Sequence, residues 1–198
     1  MAFNIPKIQW NNVDLTGDLS SGSAVISNIA DTSEVVVGMF INGLNIPDNT
    51  SVLSKTTNTV TMSAGKTATG NATGQAIYFG YEVQFDYPPI EKNGEILDSK
   101  STVNVSLSGV RQVSTNYIEV NRKLVFSFLS PAIYALVETF AKNWGIYGKS
   151  FRYFENKTSL TGYVIYELDG LNFSPKKIAP RGEDQYVWEV PLDFIRVL

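Results

Sequence analysis

The sequence predicts a mainly β protein with one α-helix and a small additional all-β module, and three observations carry that prediction. Short runs rich in Val, Ile, Thr and aromatic residues recur between turn dipeptides along most of the 198 residues. Only one window, PAIYALVETFAKNW (131–144), has helical apolar spacing. Composition shifts near residue 80. Between Asn11 and Gly80 the basic residues are Lys55 and Lys66, against Asp14, Asp18, Asp31, Glu34 and Asp48, in a background of Ser, Thr, Gly and Asn. From Tyr81 onward the chain is rich in aromatics and in charges of both signs. The shift suggests a module of residues 11–80 that is inserted into a larger domain or precedes it.

In the first zone, strands are expected at Ser23–Ser27, Glu34–Ile41 (broken by Gly38), Ser51–Lys55, Thr59–Ser63 and Gln75–Phe79. Asn42-Gly43 and Pro47-Asp48-Asn49 mark turns, and 64–74 reads as a polar loop. The expected core is Val25, Ile29, Val35, Val37, Ile46, Val52, Val60, Met62 and Ile77.

In the second zone, Tyr81–Tyr87 alternates as a strand and stops at Pro88-Pro89. A charged loop is expected over 91–101, around Asn93-Gly94. The stretch VNVSLSGVRQVSTNYIEVNRKLVFSFL (103–129) reads as two strands joined by a turn. Its apolar side (Val105, Leu107, Phe126, Phe128) is expected in the core, and Gly109 marks a bulge or bend. The helix has Ser130 as N-cap and Pro131 as first residue. Ile133, Leu136, Val137, Phe140 and Trp144 form its stripe, and Gly145 stops it. Strands follow at 150–154, 160–168 and 185–196, and the dense aromatics between Tyr147 and Trp188 read as a sandwich core with some interface rings.

Composition narrows the chemistry. The chain has no Cys and no His, so thiol and imidazole nucleophiles, bases and metal ligands are lacking. A Ser triad would lack its base, and no phosphate-loop or nucleophile-elbow spacing is present. The carboxylate pairs Glu183-Asp184 and Asp86/Glu91 lack a supporting pattern, so no catalytic, metal or cofactor-binding residue is assigned. Net charge is −3, and the basic pairs Arg122-Lys123 and Lys176-Lys177 read as solvated surface, so no nucleic-acid partner is expected. No apolar run approaches a membrane span, and MAFNIPKIQW lacks the blocks of a signal peptide. The chain is expected to be made in a cytoplasm, without membrane insertion.

Three segments carry a resemblance. SLSGVRQVSTNYIE (106–119), TFAKNWGIYGKSFRYFEN (139–156) and PKKIAPRGEDQYVWEVPLDFIRVL (175–198) together resemble the distal tail proteins of tailed bacteriophages, which sit at the tail tip or baseplate. Residues 21–74 are similar to small β repeats of phage tail and fibre proteins. In the family, IPKI (5–8) would run almost directly into FDYPP (85–89), so the resemblance implies that 11–80 is an insertion into a domain formed by 1–10 and 81–198. It further implies a tail-tube-like β-sandwich with one helix and no enzymatic activity. The expected assembly is a ring, usually a hexamer, of this chain with itself, joining the tail tube protein to hub, tip or baseplate proteins in the virion. The inserted module would meet fibres or host-surface glycans. On that expectation Arg111, Gln112, Asn116 and Tyr117 are the candidate subunit-interface residues. The alternatives are a carbohydrate-binding adsorption module and a tail-tube or tail-completion protein.

Overall fold

A computed structural model describes residues 4–105, 111–169, 173–180 and 186–197. The protein is mainly β, with one α-helix among the described residues. Its strands are β1 (Lys7–Leu19), β2 (Val25–Ile26), β3 (Phe40–Asn42), β4 (Thr50–Lys55), β5 (Val60–Met62), β6 (Ala72–Gln84), β7 (Ile90–Val105), β8 (Arg111–Leu129), β9 (Phe151–Phe154), β10 (Val164–Leu168), β11 (Lys176–Pro180) and β12 (Tyr186–Arg196), with α1 at Pro131–Asn143.

The chain forms two compact units. The smaller holds Lys7–Val83 with Thr158–Gly162, and the larger holds Met1–Pro6, Gln84–Lys157 and Tyr163–Leu198. The divisions fall outside 11–80 because long strands run through those positions. β1 is continuous from Lys7, and β6 is continuous to Gln84.

In the smaller unit the strands follow the order β2-β5-β4-β3-β6-β1. Ile29, Val35, Val52, Val60, Met62 and Ile77 are buried as expected, joined by Ile26, Met39, Ile41 and Phe79, with Ile46 packed at the edge. Val25 and Val37 are exposed, contrary to expectation. On β2 it is Ile26, the alternate residue, that enters the core. Val37 sits in a turn, because Glu34–Gly38 is not a strand: Val35 N donates to Thr32 O, Met39 N donates to Val36 O, and Gly38 takes a left-handed φ of 91°. The close-packed core also explains Gly17, where a Cβ would lie 2.9 Å from Ile26 Cγ2.

One polar cluster lies inside this unit. The side chains of Lys7 on β1 and Glu82 on β6 are each 3% exposed or less, with Nζ 3.6 Å from Oε2. Asn42 Nδ2, from β3, donates to the same Oε2 at 3.1 Å.

The larger unit follows the order β9-β10-β12-β8-β7, with β11 pairing β12. Its core is aromatic. The Phe194 ring meets Phe151 (5.0 Å between centroids), Tyr166 (5.4 Å) and Tyr153 (5.6 Å), and Phe140 from α1 meets Phe151 edge-on. Phe85 stacks on Phe126 at 4.0 Å. The helix begins as the sequence prescribes, with Ser130 accepting from Ile133 N and Pro131 in the first turn. It packs on β12 and β8 through Val137, Phe140 and Ala141, while Leu136 is exposed. Gly145 follows the helix but opens a short 3-10 turn that closes at Gly148, which has a φ of 63°. Gly145 has a second role, because a Cβ there would collide with the Leu168 side chain.

The expected loop over 91–101 is strand instead. β7 runs from Ile90 to Val105, and its register against β8 shifts between Glu91 and Asn93 and again between Asn93 and Ile96. Asn93-Gly94 is therefore absorbed as bulging within a strand. β11 has no counterpart among the expected strands.

Because Phe194 is fully buried among three aromatic neighbours, Phe194→Ala is expected to destabilise the protein by about 3–5 kcal/mol. Urea unfolding followed by Trp fluorescence measures it.

Candidate functional site

The longest pairing in the larger unit is the hairpin of β7 and β8, which matches from Ile90↔Val125 out to Val105↔Arg111. β12 pairs with β8 only from Leu129 to Asn121. From Val120 to Arg111, the only partner of β8 among the described residues is β7. Among the described residues the outer half of the hairpin is thus a two-stranded arm, with no further strand paired along either edge. A two-stranded ribbon is marginal in water by itself. Its unpaired N–H and C=O groups template a further strand.

The arm carries the four candidate interface residues in its backbone register. Arg111 pairs with Val105, Gln112 with Asn104, and Tyr117 with Lys100. Asn116 sits where the register shifts between Lys100 and Ser101. The side chains of Arg111, Gln112, Asn116 and Tyr117 lie outside the described residues. So do Leu107 and Gly109, and the carboxylate pair Glu183-Asp184. Val105, expected in the core, is 66% exposed. At the arm's last pair, no third strand among the described residues pairs beside it.

Phe128 is the second departure from the expected apolar side. Phe126 is buried, but Phe128 is 58% exposed. The β8–β12 register explains it: Val190 pairs with Phe126 and Trp188 with Leu129, so two residues of β8 face one of β12. Phe128 takes a left-handed φ of 58° within that bulge. The bulge inverts the alternation and turns the ring outward, where it meets Tyr87 edge-on at 6.3 Å. Tyr87 and Ile90 are also more than half exposed, so the base of the hairpin bears an apolar surface.

At the other end of the β8–β12 ladder, Arg122 is not solvated surface. Its side chain is 12% exposed, and Nε donates to Glu91 Oε1 at 2.8 Å while Nη1 donates to Glu155 Oε1. The guanidinium also lies 5.3 Å from the Tyr153 ring. Burial works against its charge, but the hydrogen bonds to Glu155 and Glu91 outweigh it, and the pKa is raised above its already high value. Burial, with the Glu155 carboxylate close by, pushes the Tyr153 phenol well above its ordinary value. Lys123, the next residue, is half exposed and pairs with Asp193 at 3.2 Å. A cleft of about 300 Å³ is lined by Ile96, Asn121, Arg122, Lys123, Asp169, Asp193 and Phe194. Both of its cations are already paired, Arg122 with Glu91 and Glu155 and Lys123 with Asp193. Among the described residues, no three Asp, Glu, His or Cys side chains gather as a metal site. Asp86 is exposed, while Glu91 is taken up by Arg122.

No family model, no curated protein and no solved structure matches this chain.

The exposed ring at a strained φ yields a paired expectation. Phe128→Gly relieves the left-handed strain and loses only an exposed edge contact, so stability should change by less than about 1 kcal/mol. Phe126→Ala, two residues away, should cost about 3–5 kcal/mol. Thermal unfolding of the two variants side by side measures the contrast.

Proposed function

We propose that this chain is a non-enzymatic structural protein of a phage tail tip or baseplate, assembling with copies of itself into a ring, a hexamer by resemblance, that joins the tail tube protein to the hub or adsorption apparatus. The observation that carries the reading is the β7–β8 arm. An extended ribbon with two open edges is a costly feature for a solitary protein. Laid on a neighbouring subunit, it gains the third strand or covering face that it lacks. Head-to-tail contacts of this kind generate a closed ring when the rotation between subunits closes. The apolar Tyr87, Ile90 and Phe128 at the hairpin base add a surface of the type enriched in interface cores. The resemblance of 106–119, 139–156 and 175–198 to distal tail proteins supplies the biological setting, the virion.

Shortening the arm tests this directly. Ser99 pairs with Ile118, so replacing 100–117 by Asn-Gly closes a tight hairpin at that register. The shortened chain should remain folded, with a thermal midpoint within a few degrees of the parent, and should run as a monomer in native mass spectrometry where the parent forms rings. Arg111→Glu should weaken assembly in the same assay without unfolding the monomer. A parent chain that stays monomeric at every concentration, and binds no tail component, would overturn the proposal.

A further inference from the structure

The strands of the smaller unit close on themselves. They run in the order β2-β5-β4-β3-β6-β1, and the two end strands meet. Asp18 on β1 bridges to Ser27, the residue after β2: Asp18 N donates to Ser27 O at 2.8 Å, and Ser27 N donates to Asp18 O at 3.1 Å. The sheet is therefore a small barrel around the apolar cluster that includes Leu19, Ile26 and Ile77. Closure removes the open edges that the same strands would carry as a flat sheet. The seam where it closes is a single pair. The ladders β2–β5, β5–β4, β4–β3 and β3–β6 hold two or three pairs each. Met62 N also donates to Ala24 O at 2.8 Å, so β2 is held to β5 by more bonds than to β1. One carboxylate reinforces the seam. Asp18 Oδ1 accepts from Gly74 N, on β6, at 2.8 Å, and Asp18 Oδ2 accepts from Asn28 Nδ2, just past β2. Asn28 takes a left-handed φ of 55°, a conformation that Asn adopts more readily than most residues.

We infer that the smaller unit opens at the β1–β2 seam before any other wall of its barrel, and that Asp18 is the latch that holds the seam shut. Local opening starts where the fewest hydrogen bonds must break. Once Asp18 and Ser27 part, β2 stays on β5 and β1 stays on β6. The opened barrel then presents the edge of β1 at Asp18 and the edge of β2. Their unpaired N–H and C=O groups are of the kind that accepts an added strand. A module that is edgeless when shut thus gains a strand-binding edge when the latch is released. The inference is independent of the phage assignment.

Native-state hydrogen exchange of backbone amides, followed by NMR on the full-length chain, tests it. The Asp18 and Ser27 amides should exchange together, and faster than those of Met62 and Val52, which donate to Ala24 O and Met39 O inside the barrel wall. Two variants test the latch. Asp18→Asn keeps the shape but can accept only one of the two bonds. Asn28→Gly removes the donor and keeps the left-handed φ accessible. Each should lower the protection of the amides at positions 18 and 27 by roughly three- to tenfold and leave Met62 and Val52 unchanged. Equal protection of all four amides in the parent overturns the inference, whether or not the variants fold. A loss of protection spread equally over all four in the variants also overturns it, because that is global destabilisation. Unchanged protection at positions 18 and 27 in both variants removes Asp18 as the latch.

Discussion

The antiparallel ladder between β8 and β12, from Asn121 to Leu129 on one side and Trp188 to Ile195 on the other, is the constraint on which the larger unit depends. It brings the last strand of the chain against its middle. It sets Phe194 among Phe151, Tyr153 and Tyr166, and it gives α1 a surface to cover. Where the ladder ends, the character of β8 changes. Leu124, Val125 and Phe126 are buried on both faces inside it, whereas Val105, paired with Arg111 at the far end of the hairpin, is open to solvent. One strand is thus a core element beside β12 and, from Val120 outward, pairs with β7 alone among the described residues.

Much of the fold is legible in the sequence because local chemistry agrees with tertiary demand. Ser130-Pro131 starts the helix, Val137 and Phe140 bury its stripe, and Pro88-Pro89 follow the end of β6. Two of the misreadings share a cause. At Phe128 and Asn93 the strand register shifts, and each shift breaks the period of two from which a buried face is inferred. In Glu34–Gly38 the β-branched run promises a strand, but Gly38 and two tight backbone hydrogen bonds make turns of it.

The candidate site is legible only as a position. The hairpin can be read, and so can the polar residues along it. That its outer half stands without a third strand depends on where β12 stops, which no local pattern in 103–129 encodes. The Arg122 network is hidden for the opposite reason. Adjacent basic residues look alike in sequence, yet opposite faces of one strand put Arg122 against Glu91, Glu155 and the Tyr153 ring and leave Lys123 half in water. Lys7 and Glu82 give no signal either. They lie far apart along the chain, and a lone Lys near an N-terminus reads as surface until β6 is placed beside β1.

The chain leaves the larger unit after Pro6 and returns to it at Gln84. Those two points are stitched together, since Phe85 N donates to Pro6 O at 3.2 Å, and the strands that carry the chain out and back, β1 and β6, are neighbours. That bond lies within the larger unit, and the entropy of closing it grows only slowly with the length of the chain between its two partners.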